Sequence, residues 1–167
     1  MVKKLYIQLA KKEDIPVMRE IFDYGRKVQL ESGNLNQWEV GYPSNELILE
    51  DISQGAAHVC MDNEGIIVGV FSVFTNPDPT YKNIEGAWLN DEPYATIHRI
   101  ATNGQVKGTG QYCIEWVQNQ YENVRIDTHE NNEQMKHIVK KLGFKYCGII
   151  YLANGDPRNA YHFSRNN

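Results

Sequence analysis

The chain has 167 residues, of which 41% are hydrophobic and 23% are charged, a composition typical of an ordinary globular protein. This length predicts a single domain over residues 1–167, with a core that needs neither disulfides nor a structural metal. The formal net charge of −4 argues against a nucleic-acid partner, whose phosphates would require a basic face.

Cysteine content and apolar runs bear on the compartment. Cys60, Cys113 and Cys147 are odd in number, form no C-x-x-C pair and lie in apolar stretches, which indicates buried, reduced thiols. No run approaches the roughly 20 apolar residues of a membrane-spanning helix, and the apolar run at the N-terminus is too short for a signal peptide. We therefore predict a cytoplasmic protein without a membrane partner.

Hydrophobic periodicity divides the chain into strands and helices. Alternating apolar residues predict strands, and apolar residues three and four positions apart predict helices. In chain order we predict a strand over 4–9, a helix from Lys12 to Gly33, a loop over 34–43, a helix between Ser44 and Gly55, strands over 56–61 and 66–75, a loop over 76–93, a strand over 94–101, a helix over 109–122, a strand over 124–128, a helix over 131–142, and strands over 145–152 and 159–164.

Two hairpins and one strand–helix–strand unit follow from this order. The turns at Asp62–Gly65 and Asn154–Pro157 are short enough to make their flanking strands antiparallel. The strands over 94–101 and 124–128 are joined by a helix, which requires them to run parallel. The sequence therefore predicts an α/β fold (mixed α+β) with a mixed sheet.

A loop with two glycines, Gln105-Val106-Lys107-Gly108-Thr109-Gly110, joins the strand 94–101 to the next helix. The first amides of a helix lack internal partners and lie at the positive end of the helix dipole. Gly108 and Gly110 lack a Cβ, so a bulky anion can approach this backbone. The loop therefore predicts a phosphate or pyrophosphate site, and the alternative is a strand-to-helix turn that binds nothing.

Two better-known phosphate loops do not fit these residues. A Walker loop requires Lys and then Ser or Thr after its last glycine, but Gln111 follows Gly110. A dinucleotide-binding fingerprint requires a third glycine where this chain has Cys113.

The pattern Q-x-x-G-x-G over 105–110 resembles the signature of the GNAT superfamily of acyl-CoA N-acyltransferases. The resemblance extends over most of the chain: residues 97–101 fall where the family has its fourth strand. A second family motif is matched by Asn132-x-x-Met135 and by the helix end at Leu142–Phe144. It implies a mixed, mostly antiparallel seven-stranded sheet, with a central parallel, splayed strand pair and helices on both faces.

The resemblance implies transfer of an acetyl group from acetyl-CoA to a primary amine of a small molecule or peptide by direct attack. The pantetheine arm would pair with the fourth strand, the loop amides would hold the pyrophosphate, and Asn132 would hydrogen-bond the arm. The residues it assigns to the cofactor are Ile100, Ala101, Thr102, Gln105, Val106, Lys107, Gly108, Thr109, Gly110 and Asn132.

An alkyl amine is protonated near pH 7, so a base must take a proton from it. Asp127 near the end of its strand is the first candidate, because a carboxylate at the matching position is the base in one branch of the family. His98, on the same predicted face as Ile100, is the second, and His129, which could pair with Asp127, is the third. Each has an ordinary structural alternative, and no metal is predicted because the histidines lack ligand spacing.

The family's usual donor to the leaving thiolate is absent from this sequence. Many members have a tyrosine four residues before the Gly-Phe pair that ends the second motif, and Val139 stands at that position. Water, Tyr146 or Tyr151 would have to replace it. This departure keeps a second hypothesis open, that of a non-catalytic acyl-CoA sensor or interaction module; a third is a nucleotide-phosphate binder.

The resemblance also implies that the acceptor side is formed by the loop between the first two helices and by the loop before the fourth strand. They carry Trp38, Tyr42 and Trp88 together with several carboxylates, which suits a cationic amine, although ordinary loop packing explains the same residues. The terminal hairpin offers an edge strand that could pair with a second copy, and dimers are common in the family.

Overall fold

A computed structural model describes residues 4–34 and 38–166, so part of the predicted loop over 34–43 lies outside the described residues. The helices and strands follow the predicted order. They are β1 (Tyr6–Leu9), α1 (Ile15–Glu31), α2 (Asn45–Ser53), β2 (Ala57–Met61), β3 (Ile67–Phe74), β4 (Glu85–Gly86), β5 (Ala95–Thr102), α3 (Thr109–Gln118), β6 (Asn123–Thr128), α4 (Glu133–Lys141), β7 (Lys145–Tyr151) and β8 (Pro157–Ser164).

Local capping explains several helix boundaries. Ser44 accepts a hydrogen bond from the amide of Leu47 and caps α2, and Asn132 accepts one from Met135 and caps α4. Pro16 lies in the first turn of α1, where its missing donor costs nothing. The predicted helix over 109–122 is shorter in the structure, since α3 ends at Gln118 and turn-like hydrogen bonds follow it.

The eight strands hydrogen-bond in the order β1-β2-β3-β5-β6-β8-β7-β4. The pairs β1–β2, β2–β3, β6–β8, β7–β8 and β4–β7 are antiparallel, and β5–β6 is parallel. The predicted mixed, mostly antiparallel sheet with one parallel pair is confirmed. The parallel register contains only Ala95 with Val124 and Thr96 with Arg125, so it is confined to the start of both strands.

The sheet has one strand more than the predicted seven. The additional strand, β4, has two residues in the predicted loop over 76–93, too few to leave a periodic signal. Gly86 and Gly148 lie opposite each other in the β4–β7 pair, where an added Cβ would come within 2.1 Å of Cys147 O and 2.0 Å of Glu85 O, respectively. The β7 edge of the terminal hairpin is therefore covered by β4 at Gly148 and Ile149, and pairing of this hairpin with a second copy stays a prediction.

The described residues divide into two compact units. The first comprises those of Met1–Val73 and His98–Ile114, and the second those of Phe74–Ile97 and Glu115–Asn167. The first unit has a core on β2, β3 and the two N-terminal helices, which includes Phe22, Ile48 and Val70. A core cluster of the second unit is centred on Tyr81, Ile150 and Ala160.

Candidate cofactor and active site

The predicted phosphate loop lies in the first unit, between β5 and α3. The carbonyl of Gly108 accepts a hydrogen bond from the amide of Tyr112 at 2.9 Å, so the helix begins immediately after Gly108. The Thr109 hydroxyl donates to the carbonyl of Val106 at 2.6 Å, and the side chain of Asn103 accepts from the amide of Gln105 at 3.0 Å. The loop is therefore shaped by its own side chains.

Five successive amides of this loop take no part in the hydrogen bonds of the fold. Within residues 4–34 and 38–166, no protein group accepts a hydrogen bond from the amides of Val106 through Gly110. Gly108 has φ +84°, which favours glycine, and an added Cβ would meet nothing within 4 Å. Five orphaned donors beside open space at a helix start fit a diphosphate.

The strand before the loop departs from regular alternation. Arg99 has φ +52°, in the left-handed region that L-residues rarely adopt. His98, Arg99 and Ile100 are all partly buried, between the buried residues Ile97 and Ala101. The prediction that His98 and Ile100 share a face assumed uninterrupted alternation, and the turn at Arg99 removes that assumption.

Arg99 is held by a buried carboxylate of α2. Its Nε and Nη2 donate to Oδ2 and Oδ1 of Asp51 at 2.7 and 2.9 Å, and the Ser72 hydroxyl donates to Oδ2 at 2.9 Å. Asp51 is only 4% exposed. Burial, the largest single influence, opposes the charge of Arg99, but the hydrogen bond to Asp51, the charge of Asp51 and the nearby Tyr42 together raise the pKa of the guanidinium.

Trp38 and Tyr42, predicted on the acceptor side, contact each other in the first unit. Their ring centroids are 5.9 Å apart, and Trp38 also packs edge-on against Phe22 at 5.8 Å. Trp38 is buried in the core, while Tyr42 is partly buried and accepts a long, 3.4 Å hydrogen bond from Arg99 Nη1. Of the two, Tyr42 is the better placed to contact a ligand.

Asp127, the first candidate base, lies near the end of β6 in the second unit. Its Oδ1 accepts a hydrogen bond of 2.5 Å from the hydroxyl of Tyr81, a residue that is almost fully buried. Burial, followed by the adjacent Asp127 charge, raises the pKa of Tyr81 well above its ordinary value. Tyr81 is therefore a protonated donor that orients a partly buried carboxylate.

The ring of Trp88, the third predicted acceptor residue, already contacts a cation of the protein. The guanidinium of Arg125 lies 4.2 Å from the Trp88 centroid and 3.9 Å from that of Tyr94. The indole Nε1 of Trp88 donates to the carbonyl of Tyr81 at 2.9 Å. A substrate cation at Trp88 would need the other face of the ring.

His129 and Asn132 are both engaged with backbone groups. The Nδ1 of His129 accepts a hydrogen bond from the amide of Asn131 at 3.0 Å, and the side chain that contacts Asp127 is Tyr81 rather than His129. Burial, followed by the nearby Arg158, lowers the pKa of His129. The Oδ1 of Asn132 caps α4, so its predicted hydrogen bond to the pantetheine arm stays a prediction.

The position of the usual thiolate donor is fully buried in this chain. Val139 has no exposed surface and no group to donate. Tyr151 donates to Glu85 at 2.8 Å, a hydrogen bond that raises its pKa, and Tyr146 is 58% exposed. Neither tyrosine is singled out as a replacement.

No family model and no curated protein sequence matches this chain. Among solved structures, it resembles an acetyltransferase of the GNAT family from Streptococcus agalactiae, with 32% identity, 96% of this chain and 95% of that chain covered, and a TM-score of 0.86. The chain belongs to the GNAT family of acetyltransferases. The match covers nearly all of both chains, so the family assignment applies to the whole chain.

Two more distant structures share the fold. One is the ribosomal-protein-S18-alanine N-acetyltransferase of Escherichia coli, with 13% identity, 96% and 94% coverage and a TM-score of 0.65. The other is a putative acetyltransferase from Salmonella typhimurium, solved with its cofactor acetyl-CoA, with 13% identity, 96% and 94% coverage and a TM-score of 0.64.

The sequence analysis missed two arrangements of this GNAT chain, the Asp51–Arg99 pair and the Tyr81–Asp127 pair. Asp51 follows Leu47 and Ile48 at helical spacing, so it lies on the apolar stripe of α2, and Arg99 interrupts the apolar strand β5. Opposite charges at two otherwise apolar positions were a usable signal. Tyr81, within a long loop, carried no comparable signal.

The predicted burial of the cysteines is confirmed. The three cysteines are buried and free. In the parts of the chain that the structure describes, no helix is both long and apolar enough to cross a membrane.

Proposed function

We propose that this GNAT protein transfers an acetyl group from acetyl-CoA to a primary amine of a small molecule or peptide. The observation that carries the proposal is the set of unpartnered amides from Val106 to Gly110 at the start of α3, in a chain that belongs to an acetyltransferase family. We also propose a cytoplasmic location, which is consistent with three free thiols.

The first unit provides the loop and strand residues that we assign to the cofactor. The amides of the loop bind the pyrophosphate, and the exposed Lys107 adds positive charge beside it. The backbone of Ile100, Ala101 and Thr102 pairs with the pantetheine arm. When bound, acetyl-CoA would supply an activated acetyl group, and its transfer to the amine would release CoA as a thiolate that takes a proton from solvent.

We assign the role of general base to Asp127. A carboxylate accepts on two oxygens, and Tyr81 donates to only one of them, Oδ1. The hydroxyl keeps the carboxylate in one orientation, which is the function that a third group performs for many catalytic bases. Asp127 would take the proton that the amine loses.

We propose that the acceptor is a cationic amine, recognised by aromatic and acidic side chains. Tyr42 is the predicted aromatic residue with the least internal engagement, while Trp38 is buried and one face of Trp88 is covered by Arg125. Aromatic faces and carboxylates both favour a positive charge. Turnover measured with small amines and with peptides would distinguish the two classes of acceptor.

Cofactor binding can be tested with Gly108→Asp, which places a carboxylate beside the pyrophosphate. We expect calorimetry to show CoA affinity lowered by at least about 100-fold, because a like charge replaces open space. Gly65→Asp is a matched control, since Gly65 in the β2–β3 turn has φ +80° and its Cβ would also meet nothing within 4 Å. Equal affinity of the two variants for CoA would contradict the site.

A second candidate, a non-catalytic acyl-CoA sensor, is favoured by one observation, the buried Val139 where the usual acid stands. Thiol release from acetyl-CoA with a panel of primary amines separates the two. Turnover with any amine supports the enzyme, whereas tight CoA binding without turnover on the whole panel supports the sensor. Stabilisation by ATP or NAD but not by CoA would remove both.

A further inference from the structure

The backbone of β5 is strained just before the residues assigned to the pantetheine arm. In the described parts of the chain, Arg99 is the only residue other than glycine with a positive φ, at +52°. A long L-residue disfavours this conformation, which persists only where surrounding contacts enforce it. Some interaction in the first unit must therefore hold Arg99 in place.

The interaction with the right geometry is the two-pronged contact with Asp51. Two nitrogens of Arg99 donate to the two carboxylate oxygens at 2.7 and 2.9 Å, and Ser72 completes the carboxylate's hydrogen bonds. The Arg99 side chain is 14% exposed and that of Asp51 is 5% exposed. Two hydrogen bonds fix the orientation of the planar guanidinium, and because the side chain is largely buried the pair restrains the backbone of Arg99.

The strand is anchored again beyond the affected residues. Ala101 is buried in the core of the first unit, and the amide of Asn103 donates to the carbonyl of Val68 on β3 at 3.0 Å. Ile100, Ala101 and Thr102 thus lie between two fixed points, the Asp51–Arg99 pair and the Asn103–Val68 hydrogen bond. A positive φ at the first point rotates the peptide groups that follow it, as a β-bulge does.

We propose that Asp51 and Arg99 are positioning residues, whose ion pair holds β5 in the bent conformation that presents the backbone of Ile100–Thr102 to the pantetheine arm. This inference rests on the proposed binding of acetyl-CoA. It adds a role for a helix that contributes no residue to the phosphate loop. The pair acts through the backbone, not by touching the substrate.

The test compares CoA with adenosine 3′-phosphate 5′-diphosphate, the part of CoA that lacks the pantetheine arm. Asp51→Leu/Arg99→Met replaces the pair by apolar side chains, which buried ion pairs often tolerate, and leaves no unpaired charge. We expect the advantage of CoA over the fragment, measured by calorimetry, to fall by about tenfold or more, with unchanged affinity for the fragment.

Two further variants keep the test informative. Lys27→Met/Glu31→Leu removes an ion pair that is exposed on α1, and it should leave the affinity ratio unchanged. Arg99→Lys keeps the charge but loses the two-pronged contact, so we expect a smaller loss of about threefold even if the double variant does not fold. Amide hydrogen exchange at Ile100–Thr102 should accelerate in both variants of the Asp51–Arg99 pair.

The outcomes separate this inference from the proposed function. If the unmodified protein binds neither CoA nor the fragment, the proposed function fails, and the inference fails with it. If the unmodified protein binds CoA but Arg99→Lys and the double variant retain its full advantage over the fragment, only the positioning role is overturned. Equal losses for CoA and the fragment would also overturn it, because a general structural defect weakens both.

Discussion

The two units each hold an aspartate against a larger side chain, in opposite ways. In the first unit, Asp51 is buried and receives two hydrogen bonds from a cation, Arg99, and one from Ser72. In the second, Asp127 is partly buried and receives one hydrogen bond from a neutral hydroxyl, that of Tyr81. The partners therefore decide what each carboxylate can do.

A carboxylate saturated by a guanidinium is a structural anchor, because accepting a proton would break its ion pair inside the protein. A carboxylate that one neutral donor orients keeps acceptor capacity for a substrate proton. The contrast assigns Asp51 to the architecture of the cofactor strand and Asp127 to chemistry, and each assignment can be challenged by substitution.

The largest effect is expected at Asp127. Asp127→Asn keeps an oxygen for the Tyr81 hydroxyl but cannot take a proton, so kcat should fall by about 10²–10⁴-fold, the usual contribution of a general base. Steady-state kinetics with the best amine of the panel would measure this, with CoA affinity unchanged. Asp156→Asn, in the β7–β8 turn, is the control; full activity of Asp127→Asn across pH would move the role of base to His98 or solvent.

The free energy of unfolding should also distinguish Asp51 from Asp127. Asp51→Ala leaves the Arg99 charge buried without its partner and should cost about 3–5 kcal/mol. Asp127→Ala leaves only the neutral Tyr81 hydroxyl unpaired and should cost about 1–3 kcal/mol. Urea unfolding at neutral pH gives both free energies, and an equal or larger loss at Asp127 would show that the two carboxylates are held alike.

A smaller effect is expected on the stability of the protein at low pH, and it arises from a histidine of the second unit. His162 is fully buried, with Nε2 2.9 Å from Asn123 Oδ1 and Nδ1 accepting from the amide of Leu89 at 3.2 Å. Burial, followed by the nearby Arg125, lowers its pKa from 6.5 to about 4. The unfolded chain therefore binds the proton more readily, so this contribution to stability is complete above about pH 6.5 and is lost as the pH falls towards about 4.

The corresponding measurement is the urea midpoint between pH 7 and pH 4. His162→Gln cannot titrate, so its midpoint should change less over this interval than that of the unmodified protein, whatever its absolute stability. Parallel curves for the two proteins would show that His162 does not contribute to the acid response.

Most of the fold could be predicted from the sequence because its signals are local. The capping residues Ser44 and Asn132, the turns between paired strands and the helical stripes all depend on neighbours within a few positions. The loop that we predict to bind phosphate could be identified for the same reason, since its glycines and the helix that follows are contiguous. The family assignment then extended this local evidence to the whole chain.

What could not be predicted depends on residues far apart in the chain. The bend at Arg99 requires Asp51, 48 positions away, and the orientation of Asp127 requires Tyr81, 46 positions away. The prediction that His98 and Ile100 share a face assumed a regular strand. The sequence does not show that Arg99, between them, has a left-handed backbone conformation. The cation over Trp88 was likewise hidden, because aromatic residues beside carboxylates suggest an external ligand as readily as an internal arginine.

The short strand β4 bears on whether a strand from another molecule can pair with β7. Gly86 and Gly148 approach so closely that neither position has room for a methyl group. The two-residue strand β4 can therefore pair with β7 only because both residues are glycine. A larger residue at either site would displace β4 and expose backbone donors and acceptors of β7. The two glycines therefore keep this part of the β7 edge closed to pairing with another strand.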